Sequence, residues 1–350
     1  MENIMKVEEE IGEMVRLPVG FTTRPALMED AEMVVEMFNA CSEALGGIEK
    51  HRVSDTLSEW TLPNVQLDQT TLLVFAPNGK LAGYGEWWDI VEPYVHKGLW
   101  YRVHPGYNDL GIDLYLVTWA EGKARLAIKR SPQGARVTLQ GNSLAMDHRM
   151  QQVFSNLGYT HNRSGLRMVI DLNDPPSAPQ WPAGIRVQTI VRGKDERRVL
   201  RAAYEAFTDH WGFVPEPFEA YLKRWLHFMH HNPDLDPSLW FMALDGEAVV
   251  GMSLCFKEAH DDPEMGWVGT LGVCRPWRRR GLGLALLQHS FCELYQRGKR
   301  KVGLGVDADS LTGATRLYEK AVMHPDPTHT YYFFEKELRP GVELSTQTVD

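Results

Sequence analysis

Residues 271–290 read LGVCRPWRRRGLGLALLQHS and place a glycine-rich turn between an apolar strand and an apolar helix. The first N–H groups of a helix have no intrahelical acceptor, and the helix dipole favours an anion at that end. Gly281 and Gly283 would let a ligand approach the backbone closely. The segment therefore predicts a binding site for a phosphate or pyrophosphate group.

Two other phosphate motifs do not match this turn. A P-loop needs Lys and then Ser or Thr after its second glycine, and a dinucleotide fingerprint needs a third Gly or Ala where this chain has Leu286. The pattern that matches is Arg-x-x-Gly-x-Gly, over residues 278–283.

The rest of the second half predicts a regular series of short elements. Asp245-Gly246 between two apolar runs is typical of a tight hairpin turn, because Asp-Gly readily adopts positive φ values. Periodicity and turn residues predict strands over 185–191, 239–244, 248–256, 267–273, 302–306 and 330–337, and helices over 195–210, after Pro217, after the glycine-rich turn and over 313–321.

The first half repeats this plan. Residues 101–120 align with residues 271–290 at an offset of about 170, and Asn78-Gly79 repeats the hairpin turn. Residues 150–159 align with 314–323, which sets Phe154 opposite Tyr318. DPPSAPQWPAG, at 174–184, carries four prolines and predicts a linker. We therefore expect domains over 18–173 and 185–340, with little fixed structure before about 18 or after about 340.

Composition limits the classes of function. The 350 residues are 43% hydrophobic and 24% charged, as in ordinary globular proteins. The sequence has no apolar run that could span a bilayer, and its acidic start lacks the plan of a secretory signal. Four cysteines without a CxxC pair fit a reducing cytoplasm. A net charge of -9 disfavours nucleic acids, so we expect a cytoplasmic protein with a cationic or neutral small substrate.

The glycine-rich turn resembles the acyl-CoA-binding motif of the GNAT superfamily of N-acetyltransferases. The order of elements over 185–338 is similar as well, and residues 306–323, VDADSLTGATRLYEKAVM, resemble a second motif that ends in a helix bearing a Tyr. Two such domains, with EAFTDHWGF at 205–213, resemble the mycothiol-synthase type of two-domain acetyltransferase. Val322 stands where the family often has Gly, so we expect a differently built turn there.

The resemblance implies an α/β (α+β) fold of two tandem GNAT-like domains, each a mixed, mostly antiparallel sheet flanked by helices. It also implies acetyl-CoA as cosubstrate, bound between splayed strands, and no metal. The Val273 N–H would polarise the thioester carbonyl, and Tyr318 would be the general acid at the departing sulfur. The cofactor-binding residues so implied are Leu271, Gly272, Val273, Arg278, Arg279, Arg280, Gly281, Leu282, Gly283, Leu284 and Ser310.

The acceptor side is predicted in less detail. The amine must lose a proton, and Glu264 is the first choice of base, with Asp262 second. Thr270 could orient the amine. Residues expected to line the substrate gap, with a core role left open, are Phe207, His210, Trp211 and Phe213. His227, His230 and His231 lack the HExxH spelling and a nearby Cys, so we predict a surface helix there.

The N-terminal copy lacks the residues that this chemistry needs. Asn108 replaces Arg278, Asp113 replaces Gly283, and Phe154 replaces Tyr318. An aspartate in the turn would set a like charge beside a pyrophosphate. We therefore expect a degenerate domain that supports the active one.

The sequence thus predicts an N-acetyltransferase that acts on a primary amine of a small molecule by direct attack in a ternary complex. One alternative is a non-catalytic acyl-CoA sensor or scaffold, which would keep the turn but need no Tyr318. Acetylation of protein amines is another.

Overall fold

The computed structural model describes residues 15–232 and 235–348, which form two compact units. The first contains the residues up to Arg163 together with Tyr331–Leu344, and the second contains Ser164–Thr330 together with the residues from Ser345 onward. Both are mixed sheets flanked by helices, which confirms the predicted fold class. No helix within the described ranges is long and apolar enough to cross a membrane.

The first unit is built on a mostly antiparallel sheet. Strands β1 to β4 pair antiparallel in sequence order, β4 pairs parallel with β5, and the second part of β12 pairs antiparallel with β5. Its elements are β1 (Thr22–Arg24), α1 (Ala31–Ala44), α2 (Val53–Trp60), α3 (Leu67–Thr70), β2 (Thr71–Phe75), β3 (Leu81–Trp88), β4 (His96–Val103), α4 (Ile112–Leu126), β5 (Val137–Leu144) and α5 (His148–Asn156), with β6 (Thr160–Asp171) starting here.

The second unit has the same plan. Strands β7 to β10 pair antiparallel, β10 pairs parallel with β11, and β11 pairs antiparallel with the second part of β6. Its elements are β7 (Ile185–Thr189), α6 (Glu196–Ala206), α7 (Phe218–His231), β8 (Trp240–Asp245), β9 (Ala248–Phe256), β10 (Met265–Val273), α8 (Leu282–Gln296), β11 (Lys301–Asp307) and α9 (Ala314–Lys320), with β12 (His324–Arg339) starting here.

Burial explains the layers of the second unit. Helices α6 and α7 cover the apolar side chains of β8 and β9, including Trp240 and Met252, on one face of the sheet. Helices α8 and α9 bury Leu287, Phe291 and Tyr318 on the other face. Each fully buried side chain of this size contributes roughly 1.5–3 kcal/mol to folding.

The units do not coincide with the predicted boundaries. Residues 165–171 pair with β11 of the second unit, while residues 331–339 pair with β5 of the first. The predicted linker at 174–184 therefore falls inside the second unit, where Trp181 packs with the side chains of α8. Strand pairing over such separations leaves no local pattern in the sequence, because a strand's partner does not alter its own periodicity.

The expected lack of structure after residue 340 is wrong for the described residues. The Val342 N–H donates to Gly134 O at 2.8 Å, and Val342 O accepts from Arg136 N at 2.9 Å. Residues 345–347 bond to the second unit, as described below. The expectation for residues 1–14 lies outside the described residues.

Candidate active site

Strands β10 and β11 separate beyond their first three residues. They pair only through Met265–Lys301, Gly266–Val302 and Trp267–Gly303, yet β10 continues to Val273 and β11 to Asp307. We call this opening, between residues 268–273 and 304–307, the wedge. Its backbone edges lack their normal strand partner, so an extended ligand can pair with them.

A β-bulge precedes the open part of β10. The pairing with β9 shifts between Val268 and Thr270, which leaves Gly269 unpaired. A Cβ atom on Gly269 would lie 2.6 Å from the Phe256 ring, so the tight packing requires glycine. In the first unit, the corresponding strand β4 pairs with β3 in unbroken register. Of these two corresponding strand pairs, only β9 and β10 of the second unit contain a bulge.

The register identifies the groups that face the wedge. The Cys274 N–H donates to Val250 O at 2.9 Å, so Cys274 and Gly272 bond toward β9. Because the direction alternates along a strand, the N–H groups of Leu271 and Val273 point into the wedge. Leu271 and Val273 thus present backbone donors to the wedge, while Gly272 contributes its small size.

The glycine-rich turn forms a concave row of backbone donors. Arg279 and Gly281 have φ values of +59° and +85°, and α8 begins at Leu282. Within the described residues, no hydrogen-bond acceptor is found for the N–H groups of residues 279–284. Such a turn at a helix N-terminus binds anions. The exposed Arg279 and Arg280 form no ion pair with a described residue, so their charges face solvent beside the turn.

Arg278 has a different task from the one predicted. Its guanidinium donates to Val273 O at 2.8 Å and to Ala206 O at 2.8 Å, and it forms an ion pair with Asp209. Burial alone raises the pKa of Asp209, but hydrogen bonds from Arg278 and Arg275 outweigh it and hold that pKa below its usual value. The Arg278 side chain therefore ties the end of α6 to the end of β10.

Tyr318 lies on the α8 face beside the wedge. It is 7% exposed and belongs to one apolar cluster with Leu271 and Val306, which come from the two wedge strands. No described residue hydrogen-bonds to its hydroxyl, and burial raises its pKa to about 12. The phenol is therefore protonated at neutral pH and able to donate.

Phe207 and His210 approach the wedge from the opposite face. A Cβ atom on Gly272 would lie 3.2 Å from the Phe207 ring, and the Phe207 and His210 ring centroids are 4.3 Å apart. Burial lowers the pKa of His210, with opposing contributions from Asp209 and Asp307, the last residue of β11. His210 is therefore neutral at pH 7, and its ring packs on Phe207, which lies beside Gly272 of β10.

Of the other predicted acceptor residues, Thr270 lies on the wedge strand β10, whereas Trp211 and Phe213 contact residues outside the wedge. The Trp211 indole N–H donates to Gln347 at 3.0 Å, and Phe213 packs edge-on against Tyr204 at 5.4 Å. Thr270 is half-buried beside the bulge. Ser310, a predicted cofactor-binding residue, accepts from Ala314 N at 3.4 Å and so contributes to the turn before α9.

Glu264 is not brought to the wedge. It is exposed in the turn before β10, where its N–H donates to the Asp262 carboxylate at 3.0 Å. Nine residues separate it from Val273, which corresponds to roughly 25–30 Å of extended strand. Its carboxylate therefore cannot reach a thioester beside Val273, and the same holds for Asp262.

Sequence reasoning missed Asp209 and Asp307. Asp209 is 1% exposed and paired with Arg278, although 69 residues separate them. Asp307 ends β11 at the wedge. Asp209 lies within EAFTDHWGF at 205–213 and Asp307 within the motif at 306–323, but only the fold shows which groups their carboxylates face.

The corresponding turn of the first unit has the same backbone shape but opposite charge. Asp109 and Gly111 have φ values of +63° and +75°, matching Arg279 and Gly281. Arg149 forms ion pairs with both Asp109 and Asp113 at this turn. Phe154 is buried and stacks on Phe334 at 5.0 Å. The chain's own cation thus occupies this turn and offsets one of its two negative charges.

The fold and the site define an acyl-transfer protein of the GNAT type. Residues 200–322 match the family model described as "Acetyltransferase (GNAT) family". The chain is 30% identical over 296 residues to the mycothiol acetyltransferase of Thermobispora bispora, covering 83% of this chain and 91% of that one. The chain therefore belongs to the GNAT family of acetyltransferases and is an acyltransferase.

Solved structures agree. A GCN5-related N-acetyltransferase from Sphaerobacter thermophilus is 37% identical, with a TM-score of 0.76, covering 95% of this chain and all of that one. A tandem GNAT protein from the clavulanic acid biosynthesis pathway shares the fold at 17% identity and a TM-score of 0.63, covering 92% of this chain.

No group of three His, Cys, Asp or Glu residues within the described ranges could hold a metal ion. His227 and His231 stack on each other at 4.0 Å along α7.

Proposed function

We propose that the second unit transfers acetyl from acetyl-CoA to a primary amine of a small molecule in one ternary complex. The observation that carries this proposal is the combination of an open wedge, a donor-lined turn and an unpartnered tyrosine hydroxyl in one unit. An acetyltransferase needs these three groups to hold an acyl donor, to polarise its carbonyl and to protonate its leaving sulfur.

Binding is assigned to backbone groups. The turn over 279–284 holds the pyrophosphate, with Arg279 and Arg280 adding charge, and each charge-assisted bond contributes about 1.5–3 kcal/mol. The wedge edges at Leu271 and Val273 pair with the pantetheine amides. The Val273 N–H then stabilises the carbonyl oxygen as it gains negative charge.

Proton transfer is assigned to the two sides of the wedge. As the amine nitrogen bonds to the acetyl carbon and the carbon–sulfur bond breaks, Tyr318 gives a proton to sulfur and His210 accepts one from nitrogen. Solvent exchange then restores both groups. We propose His210 in place of Glu264 because the imidazole is neutral and near the wedge, whereas Glu264 is not.

A small-molecule acceptor is favoured over a protein amine. The relatives are named mycothiol acetyltransferases, and the chain's net charge of -9 attracts a cationic amine. We also propose a cytoplasmic location, supported by the four cysteines, all of which are free thiols.

The test is a screen for acetyl-CoA-dependent thiol release with amino sugars, polyamines, amino-acid-derived amines and lysine peptides. We expect release with at least one small amine and strongly reduced release by His210→Gln. Acetyl-CoA binding without release in any class would favour the sensor alternative instead.

A further inference from the structure

A short segment near the C-terminus bonds to the loop that carries His210. We call residues 207–213 the acceptor loop and residues 345–347 the strap. The Gly212 N–H donates to Thr346 O at 2.8 Å, and the Thr346 N–H donates back to Phe213 O at 2.9 Å. These two backbone bonds join Thr346 to the adjacent loop residues Gly212 and Phe213.

Side chains extend the contact in both directions. The Thr346 hydroxyl donates to Thr208 O at 3.0 Å, and the Trp211 indole N–H donates to Gln347 Oε1 at 3.0 Å. The Gln347 amide also donates to the Ser345 hydroxyl at 2.7 Å, and Ser345 is 8% exposed. The strap therefore bonds to the acceptor loop at Thr208, Trp211, Gly212 and Phe213.

The acceptor loop meets the wedge through its other residues. Phe207 lies against Gly272, and Asp209 is paired with Arg278, whose guanidinium also binds Val273 O. His210 lies between these two anchors and the strap contacts. The loop follows α6 directly and contains Gly212 at φ +75°, so helix geometry does not fix residues 207–213.

We propose that Thr346 and Gln347 are positioning residues of the transfer reaction, because the strap holds the acceptor loop, and with it His210, against the wedge. The inference rests on the proposed function and adds a residue set to it. Thr346 and Gln347 bond to the acceptor loop, so we expect the strap to govern the amine side of the reaction more than acetyl-CoA binding.

The test uses Thr346→Pro, which removes the N–H donor to Phe213 and the hydroxyl bond to Thr208 together. We expect the KM for the amine to rise at least 10-fold and kcat to fall as well, because His210 is displaced, with the acetyl-CoA affinity changed less than about 3-fold. Thr346→Ser keeps both groups and should restore the wild-type KM. Gln347→Ala, which removes only the Trp211 bond, should give an intermediate rise.

A pH profile separates positioning from general support. The charged groups that face His210 are Asp209 from its own loop, Arg278 from the glycine-rich turn and Asp307 from β11. Because burial lowers the pKa of His210, a loosened loop should raise it, so the acidic limb of kcat/KM for the amine should move to higher pH in Thr346→Pro. A purely structural role would lower rates without moving this limb.

The outcomes distinguish the two proposals. If Thr346→Pro bound acetyl-CoA normally and kept the wild-type amine KM and acidic limb, the strap would have no positioning role while the proposed function stood. If wild-type protein bound acetyl-CoA but acetylated no amine, the proposed function would fail, and the positioning role with it. Faster amide exchange at Gly212 and Phe213 in Thr346→Pro would show that the variant had released the loop.

Discussion

Tyr318 and its counterpart Phe154 differ by one hydroxyl, and their surroundings differ accordingly. Phe154 packs with Tyr101, Tyr159 and Phe334 in the first unit's core. Tyr318 is equally enclosed by apolar residues, but no described residue hydrogen-bonds to its hydroxyl. The Tyr318 hydroxyl is therefore available to a partner that arrives with the substrate.

Tyr318→Phe should therefore lower kcat by about 10²-fold to 10⁴-fold, the usual range for a general acid, with little change in acetyl-CoA affinity. The Tyr318 pKa of about 12 lies above the thiol reference of about 8.5, so proton transfer to sulfur is uphill. The hydroxyl lowers the barrier to that transfer through a hydrogen bond that strengthens as sulfur gains charge. Thiol-release kinetics measure this effect. Near-normal turnover in the variant would leave Tyr318 as a packing residue of α9.

The backbone of Val322 is in a strained, left-handed conformation. The turn after α9 is built with Val322 at φ +64°, and the aligned residue in the first unit is Gly158 at φ +80°. The left-handed turn is thus kept although the side chain is β-branched, so the expectation of a different turn is wrong. The left-handed conformation costs an L-residue roughly 1–2 kcal/mol.

Val322→Gly should raise the free energy of unfolding by about 1 kcal/mol, because relief of strain outweighs the added freedom of the unfolded chain. Val322 is 76% exposed, so little packing is lost. Gly158→Val offers the matched reverse change, since a Cβ there meets nothing within 4 Å. Denaturant unfolding should show a higher free energy of unfolding for Val322→Gly and a lower one for Gly158→Val. A Val322→Gly variant less stable than wild type would contradict the inferred backbone strain.

At the scale of elements, the two glycine-rich turns have one backbone shape and two chemistries. Residues 278–280 are three arginines, whereas residues 108–110 are Asn, Asp and Leu, and Arg149 pairs with both aspartates of the first turn. The shape follows from Gly281 and Gly111 at the helix starts. Under the proposed function, side-chain charge and not the backbone shape of the turn decides which copy receives a pyrophosphate.

Gly283→Asp, which copies Asp113 of the first unit, should weaken acetyl-CoA binding by about 2 kcal/mol, or roughly 30-fold, through added like charge and lost backbone approach. Gly283→Ala is the uncharged control. Its Cβ would lie 3.3 Å from Leu317, so we expect a smaller loss of affinity. Equal affinity for Gly283→Asp and wild type at moderate salt would mean that the pyrophosphate binds elsewhere.

Local patterns predicted the elements, and pairings between distant residues account for what was missed. The strand, turn and helix over 271–290 could be predicted because apolar periodicity and glycine placement are local properties. The bulge at Gly269 and the pairing of Arg278 with Asp209 depend on neighbours far along the chain. The same reason explains why Glu264 looked close to the chemistry in sequence yet lies at the far end of β10.

At the scale of the whole molecule, the chain is a duplication whose two units keep one fold. Each unit has a parallel strand pair that opens after three residues, β4 with β5 and β10 with β11. The second unit adds the bulge, the arginines and Tyr318. The first replaces each of them, so its contribution to the protein is structural in our account.

The most direct test of this account is a calorimetric titration of the full chain with acetyl-CoA. We predict one binding site per chain, which Gly283→Asp weakens about 30-fold in the second unit. The control Asp113→Asn, in the first unit, should leave the stoichiometry at one. Two sites of similar affinity in the wild-type chain, or one site that Gly283→Asp leaves intact, would contradict the account.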